Sequence, residues 1–556
     1  MKFLSIFISS KFLNRTIILT IFAILLISFA HPIYGTTDDK ILAGFVDGSY
    51  TGDHELRSIF IQPIINVCML PFYYILSNFG WYSLFQLFFL ILGLSLVSDE
   101  INAIKPILNN LIFAISILIL SWFVPQPTFT AASFLICLIG ILLLTLVANR
   151  IEFDKFRLFF VVLFLLYSYA LRTEAFLGAL SLLIVPICFH YRKIFNLILK
   201  NLRMIILITL VFFPTNYMLL KVTDNSGWQV YDNWNSYRHQ LQNRISQNFI
   251  LENIDKIGWT VPEHNLFVDL SYGDASTFNS DWIKPAFDLT RDKTGIKGLI
   301  NTNFSLTVHK LITIMVEQQA YIIGVIIFLL ALLLVFTTYR SLIALIFSVT
   351  TILFYLYFIS STLHTPERIV IPLIFSVVFI YIIFIINEKQ KNLVDANKLN
   401  LLIFVGILLA FVSHNGFLDS YMSRHAKIEY SENIKKVLDP FSKKYTLIGS
   451  VGTEVNHLVN PYYQSKSQNE MKSIIAGNWE TFSPYWYKRN EKLGVESKNV
   501  YQELLSNSKT LWMTRKIPDT SYSIELYLRE RNINKFNRMG ITTSLEDLNL
   551  YHFAQK

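Results

Sequence analysis

The chain has 556 residues, 53% of them hydrophobic, with 46 Phe and a formal net charge of +9; its mean hydropathy is +0.44. That composition excludes a soluble domain of this length, and several apolar runs reach the roughly 17–25 residues that cross a bilayer core, so the sequence reads as a polytopic integral membrane protein. The positive balance is not a nucleic-acid signal, because Lys and Arg are scattered over short loops without a basic helix or interleaved aromatics.

In chain order, the first apolar run is 14–35. Lys11, Arg15, the apolar core and Ala30-His31-Pro32 would also suit a signal peptide, but the run is as long as a span and an uncleaved first helix is expected. A polar loop over 36–56 follows, carrying Asp38, Asp39, Asp47, Asp53 and Glu55. The run 57–79 is apolar but punctuated by Pro63, Asn66, Pro71 and Asn78, and reads as one or two helices lying along or dipping into the outer surface. Further spans are expected over 81–97, 107–124, 127–148, 157–173, 175–190, 204–221, 319–338, 341–359, 369–387 and 400–416, which makes about eleven transmembrane helices.

Charge sets their orientation. With the N terminus cytoplasmic, the inner loops carry Lys2, Lys11 and Arg15, then Lys105, then Arg150, Lys155 and Arg157. The next are Arg192, Lys193, Lys200 and Arg203, then Arg340, then Lys389, Lys391 and Lys398. Each is short and basic, as the positive-inside rule requires. Counting 57–79 as a span would reverse the later loops, so the odd number is preferred.

Three polar regions then fall outside: 36–56, about 222–318, and the tail 417–556. The middle one is rich in aromatics (Trp228, Tyr231, Trp234, Trp259, Phe267, Tyr272, Trp282), which argues for order. In the tail, 445–451 and 510–516 read as strands and 433–441 and 525–533 as helices. The expected fold is an all-α membrane module over 1–416 with a small extracytoplasmic α/β domain over 417–556.

Ionisable groups near membrane depth are costly and default to functional candidates. An outer-surface carboxylate such as Asp38 or Asp39 can take a proton from an acceptor hydroxyl while a lipid phosphate departs. Arg172 and Glu174 mark the outer turn between two spans, and His364 and Arg368 open another from the same side. A guanidinium suits a phosphate because its planar fork binds oxygens in pairs; pairing of Arg172 with Glu174, or snorkelling, is the structural alternative. Arg238 and Arg244 share a face or neighbouring turns of the long loop, and with His309 and Lys310 could contact a head group or a sugar. For Trp228, Trp234 and Trp259, interfacial anchoring outweighs stacking on sugars.

Other chemistries lack their motifs. There is no GxxxxGK[ST] loop, no HExxH helix and no GxSxG elbow. His residues are scattered, and no cofactor is called for, with a divalent metal left open. The three Cys (Cys68, Cys137, Cys188) lie in apolar runs; an odd number without CxxC spacing argues against a disulfide framework and for packing. Asp99-Glu100 falls on the inner side and reads as ordinary loop charge.

The pattern resembles the GT-C superfamily of integral membrane glycosyltransferases, and within it bacterial multi-span proteins whose first outer loop carries Asp-Asp, a Gly-x-Tyr-Thr-Gly turn and then Trp-Tyr. Here these are Asp38-Asp39, Gly48-Ser49-Tyr50-Thr51-Gly52 and Trp81-Tyr82. The likeness continues in Leu171-Arg172-Thr173-Glu174, in Tyr231 to Arg244, and in Gly477, Trp479 and Ser483-Pro484-Tyr485 of the tail. Thr37 before the acid pair and Asp53-His54 after the turn depart from it. The resemblance implies a polyprenyl-phosphate sugar donor, inverting transfer on the outer face to a glycan or lipid-linked acceptor, and Asp38 or Asp39 as base or acceptor-positioning carboxylate. It also implies that Arg368 first and Arg172 second hold the donor phosphate. A polysaccharide polymerase and a transporter of lipid-linked glycans or solutes are the alternatives; repeats and midplane charges, which transporters usually show, are missing.

Overall fold

The computed structural model describes residues 10–104, 108–150, 155–188, 190–245, 247–290, 309, 312–313, 322–323, 325–326, 329, 339–360, 367–385, 417–450, 459–463, 473–495, 498–515, 519–531, 533, 536–541 and 548–555. Among these the helices are α1 Ser10–Phe29, α2 Thr37–Asp47, α3 Pro63–Ile75, α4 Trp81–Ile104, α5 Asn109–Phe123, α6 Phe129–Ala148, α7 Lys155–Leu171, α8 Thr173–Cys188, α9 Tyr191–Lys200 and α10 Leu202–Thr223. After the last of these come α11 Ser226–Arg244, α12 Gln247–Glu252, α13 Ile254–Ile257, α14 Val261–Val268 and α15 Ser280–Thr290. Then follow α16 Tyr339–Ser360, α17 Glu367–Ile385 and α18 Phe417–Lys444. Among the described residues four helices are long and apolar enough to cross a membrane (Lys11–Phe29, Trp81–Ile104, Phe129–Ala148 and Leu202–Thr223), and shorter apolar helices accompany them. The expected spans 319–338 and 400–416 lie mostly or wholly outside the described residues.

Two of the long helices show the two environments of a membrane bundle. In α6, apolar side chains are buried all round, and Gly140 opposite Phe164 and Leu165 lets α7 come close. Small residues serve this purpose where lipid supplies no hydrophobic drive to pack. Gly93 of α4 faces Ile139 so closely that an added Cβ would lie 2.6 Å from its methyl. By contrast α10 leaves Leu207, Leu210, Val211, Met218 and Val222 exposed, a face suited to acyl chains. Within the run 57–79 one helix forms, α3, begun at Pro63 and continuous through Pro71; at 13 residues it is about 20 Å long, short of the roughly 30 Å hydrocarbon core.

Cross-helix hydrogen bonds fix which ends lie together. Ser133 meets Ser168 and the Arg172 carbonyl at one end of α6, and Asn149 meets His190 just past the other. So α7 and α8 form an antiparallel hairpin with Arg172 at its tip. Arg15 at the start of α1 reaches Ser98 near the end of α4, and the His190 ring contacts the Ile383 carbonyl near the end of α17. The ends carrying Asp38, Tyr82, Phe129, Arg172 and Arg368 therefore form one pole of the bundle.

At the opposite pole, Asp99 and Glu100 are not ordinary loop charges. They belong to the last turns of α4, and Glu100 is fully buried. Arg157 pairs with Asp99 at 2.6 Å and also with Glu100, which Arg150 joins.

The described residues 226–290 after α10 fold as helices α11 to α15, and the three tryptophans expected at an interface turn inward instead. Trp228, Trp234 and Trp259 are buried within the protein, and Trp259 stacks on Trp282 at 3.8 Å. The tail builds a five-stranded mixed sheet in which β1 Thr446–Gly449, β2 Ser473–Ile475, β3 Thr510–Arg515, β4 Phe536–Ile541 and β5 Leu548–Gln555 are ordered β2-β1-β3-β5-β4. β1 runs parallel to β2 and β3, and β5 antiparallel to β3 and β4. Both expected strands appear as β1 and β3; the expected helices appear inside α18 and as a helix over Ser521–Glu530. Tyr462 donates its hydroxyl to the Val124 carbonyl, and a bridge joins Phe79 to Tyr463, so the tail is fastened to the pole that bears the acid pair.

Candidate active site

The loop expected to carry the acid pair is a helix. Thr36 caps α2: its hydroxyl accepts the Asp39 N–H at 3.3 Å and donates to Asp39 Oδ2 at 2.7 Å. Gly48, at φ +79°, closes the helix in the left-handed conformation that glycine adopts without strain. Asp38 and Asp39 thus stand in the first turn, where the helix dipole favours negative charge. Neighbours on a helix point about 100° apart, so the two carboxylates enter different surroundings.

Asp39 points into the protein and is fully buried. Its Oδ1 accepts the Phe129 N–H at 2.8 Å and the Tyr82 hydroxyl at 3.1 Å, tying α2 to α6 and α4. Burial pushes its carboxyl up to about 7, against the opposing pull of the Thr36 hydroxyl, the Phe129 N–H and the Arg368 charge.

Asp38 points to the partly open side, its side chain 22% exposed. Its Oδ2 pairs with Arg368 Nη1 at 3.1 Å, and its Oδ1 accepts the indole N–H of Trp479 at 2.7 Å. Arg368 stands in the first turn of α17, and among the described residues its buried Nε has no hydrogen-bond partner. Arg172 lies within electrostatic reach of both Asp38 and Arg368. Its guanidinium covers the rings of Phe60 at 4.5 Å and Phe129 at 5.3 Å, and its Nε pairs with Glu174 at 2.9 Å. Glu174 is an exposed end of that pair, with a side chain 75% accessible. The Phe60 ring lies 4.9 Å from that of Trp479. The part-open Asp38 carboxylate, two arginines and an aromatic wall are gathered at one pole of the bundle, with Glu174 exposed at its edge.

The other acidic residues of the region are held elsewhere. Asp53 and Glu55 pair with Lys488, and Thr51 donates to Glu55. Lys488 belongs to α19 Pro484–Lys492, whose Arg489 also reaches the Tyr50 carbonyl, so this helix clamps the tail onto the turn after α2. The remaining elements are α20 Val500–Ser506 and α21 Ser521–Glu530.

Arg238 does not join the acid pair. It is buried, bonded to Asn235 and Gln242 of its own helix, and its guanidinium lies by the Trp234 ring. The Arg244 side chain and His364 lie outside the described residues. His309 is exposed. Among the described residues no three His, Cys, Asp or Glu side chains gather as a metal site would require.

Sequence reasoning gave Trp479 no contact with Asp38, although the tail motif that carries the resemblance includes it. The two residues are 441 positions apart. Nothing local signals that pairing, nor the backbone N–H of Phe129 as the donor to Asp39.

No family model and no curated protein matches the chain. Among solved structures, it is similar to ArnT from Cupriavidus metallidurans in the apo state, at 11% identity and a TM-score of 0.39, over 96% of this chain and 97% of that one. ArnT from the same organism bound to undecaprenyl phosphate gives 11% identity, a TM-score of 0.38 and the same coverage. Superposition at this level carries no functional argument, and the site's own geometry has to supply one.

Proposed function

We propose that this protein is a membrane glycosyltransferase that moves a sugar from a polyprenyl-phosphate donor to a hydroxyl of a cell-surface glycan or lipid-linked acceptor, with inversion. The observation that carries the reading is Asp38, a part-exposed carboxylate bonded to Arg368 at the pole where Arg172 also lies.

In this reading Asp38 rather than Asp39 is the base, because Asp39 is fully enclosed and its oxygens are spent on Thr36, Tyr82 and Phe129. The donor phosphate takes over Arg368, using the buried Nε–H that has no partner among the described residues, with Arg172 adding positive charge. That exchange loosens Asp38. The acceptor oxygen then bonds to the anomeric carbon as the bond from that carbon to the phosphate oxygen breaks. Asp38 receives the acceptor proton, and the lipid phosphate leaves with its charge matched by the arginines. The N terminus is cytoplasmic and the site faces outward, with residues 1–416 forming the membrane module and 417–556 an extracytoplasmic domain closing over the acceptor.

The test is mass spectrometry of surface glycans and glycolipids from a deletion strain complemented with wild type or with Asp38→Asn. Loss of one monosaccharide from an otherwise intact structure, in the deletion and in the variant, is expected. Shortened chains of whole repeat units would replace this reading with a polymerase. Unchanged glycans would point back to transport.

A further inference from the structure

We propose that Trp479, in the tail, is a positioning residue for Asp38, holding the carboxylate so that its free lone pairs face the acceptor. The inference rests on the reading above that Asp38 takes the acceptor proton.

The indole N–H is 2.7 Å from Asp38 Oδ1 while Arg368 holds Oδ2, so the carboxylate is gripped at both oxygens and its plane is set. A carboxylate has about four lone-pair sites, and two donors leave the others available. The donors differ in kind. Arg368 is charged and a donor phosphate competes for it; the indole has a single neutral N–H, already given to Asp38, and carries no charge to draw it towards the phosphate. When phosphate draws Arg368 away, Trp479 keeps Asp38 in place.

Trp479 is itself immobilised. It is 6% exposed, its ring packs against Phe45 and Phe60, and its carbonyl accepts the Tyr231 hydroxyl at 2.5 Å. The backbone N–H of Trp479 donates to its neighbour Asn478, and Phe482 just beyond sits at φ +70°, a conformation costly for a bulky residue. So little of the ring is accessible that it serves Asp38 through its N–H rather than as a platform for a sugar.

The experiment uses the full chain in detergent or lipid, measuring turnover against pH for wild type, Trp479→Phe, Tyr231→Phe and Asp38→Asn. Trp479→Phe keeps an aromatic ring against Phe45 and Phe60 and removes the N–H. Removing a donor from a carboxylate favours its protonated form, so the acid limb of the turnover profile should move up by about one unit with kcat down about tenfold. Tyr231→Phe, which frees the Trp479 carbonyl while sparing the indole, should move the limb the same way by less, and it serves alone if Trp479→Phe fails to fold. A merely structural Trp479 would lower thermal stability and leave the limb unmoved, which overturns the inference. Unmoved limbs with Asp38→Asn inactive remove only Trp479; an active Asp38→Asn removes the reading of Asp38 itself.

Discussion

Each pole of the bundle carries two adjacent carboxylates, and they are used in opposite ways. Asp99 and Glu100 close the C-terminal end of α4, where Arg157 and Arg150 match them charge for charge. Asp38 and Asp39 open α2 at the other pole, and Tyr82, at the far end of the same helix α4, donates to Asp39. The seventeen-residue separation of Tyr82 and Asp99 along α4 corresponds to about 26 Å. One pair is closed by its cations and locks α4 to α7. The other is split, with one carboxyl buried among neutral donors and one left at a part-open surface with a single cation. Closure makes an ion pair structural; incomplete closure leaves charge for a ligand to complete.

The largest effect that sharpens this contrast is Asp38→Asn, which should lower transfer about 10²–10⁴-fold with insertion and melting unchanged. Kinetics and a melting curve on the same preparation decide it, and a fully active variant would erase the distinction between the poles. Glu100→Ala should do the reverse. Leaving Arg157 and Arg150 without that carboxylate should cost about 3–5 kcal/mol of stability, read as a lower melting temperature, while molecules that remain folded keep their donor KM.

Arg368→Ala should come next. Removing one partner of a part-buried charge pair costs about 2 kcal/mol or more, so the donor kcat/KM should fall about 30-fold. A normal donor dependence would take Arg368 out of the site.

Asp39 gives a pH signature. Its carboxyl titrates at about 7 when folded instead of the ordinary 3.8, so between about 4 and about 7 the folded chain holds a proton that the unfolded chain has released. Stability from this group is therefore greatest at low pH and is lost as pH rises through about 7. Melting temperatures across that range should fall less steeply in Asp39→Asn than in wild type; parallel curves would mean that Asp39 is ionised in the folded protein. The smallest effect belongs to Glu174→Gln, since an exposed ion pair contributes about 0–1 kcal/mol, and kinetics should stay within a few-fold.

Much of the architecture is legible in the sequence. Apolar run length marked α1, α4, α6 and α10, because crossing hydrocarbon requires a continuous helix with its backbone satisfied internally. Short runs containing Leu447-Ile448 and Leu511-Trp512-Met513 marked β1 and β3. Topological bookkeeping put Asp38, Arg172 and Arg368 on one side, since each lies at the same kind of span end. Three readings needed changing. The acidic loop is a helix, which Thr36 and Gly48 could have signalled as cap and stop. Asp99-Glu100 is a buried ion network because Arg150 and Arg157 return to the end of α4. The loop tryptophans are core residues because α11 to α15 pack against one another and against the tail.

By itself, then, the sequence determined that this chain inhabits a membrane, where most of its apolar helices begin and end, and which charged residues share a pole, because these follow from transfer free energies and local periodicity. Tertiary structure alone decided that Asp39 is buried and Asp38 is not, and that Arg368 and Trp479 take the two oxygens of Asp38. Those outcomes depend on side chains separated by hundreds of residues arriving at one place, and on a rotation of about 100° between neighbours in a helix, neither of which is encoded in the spacing of any motif.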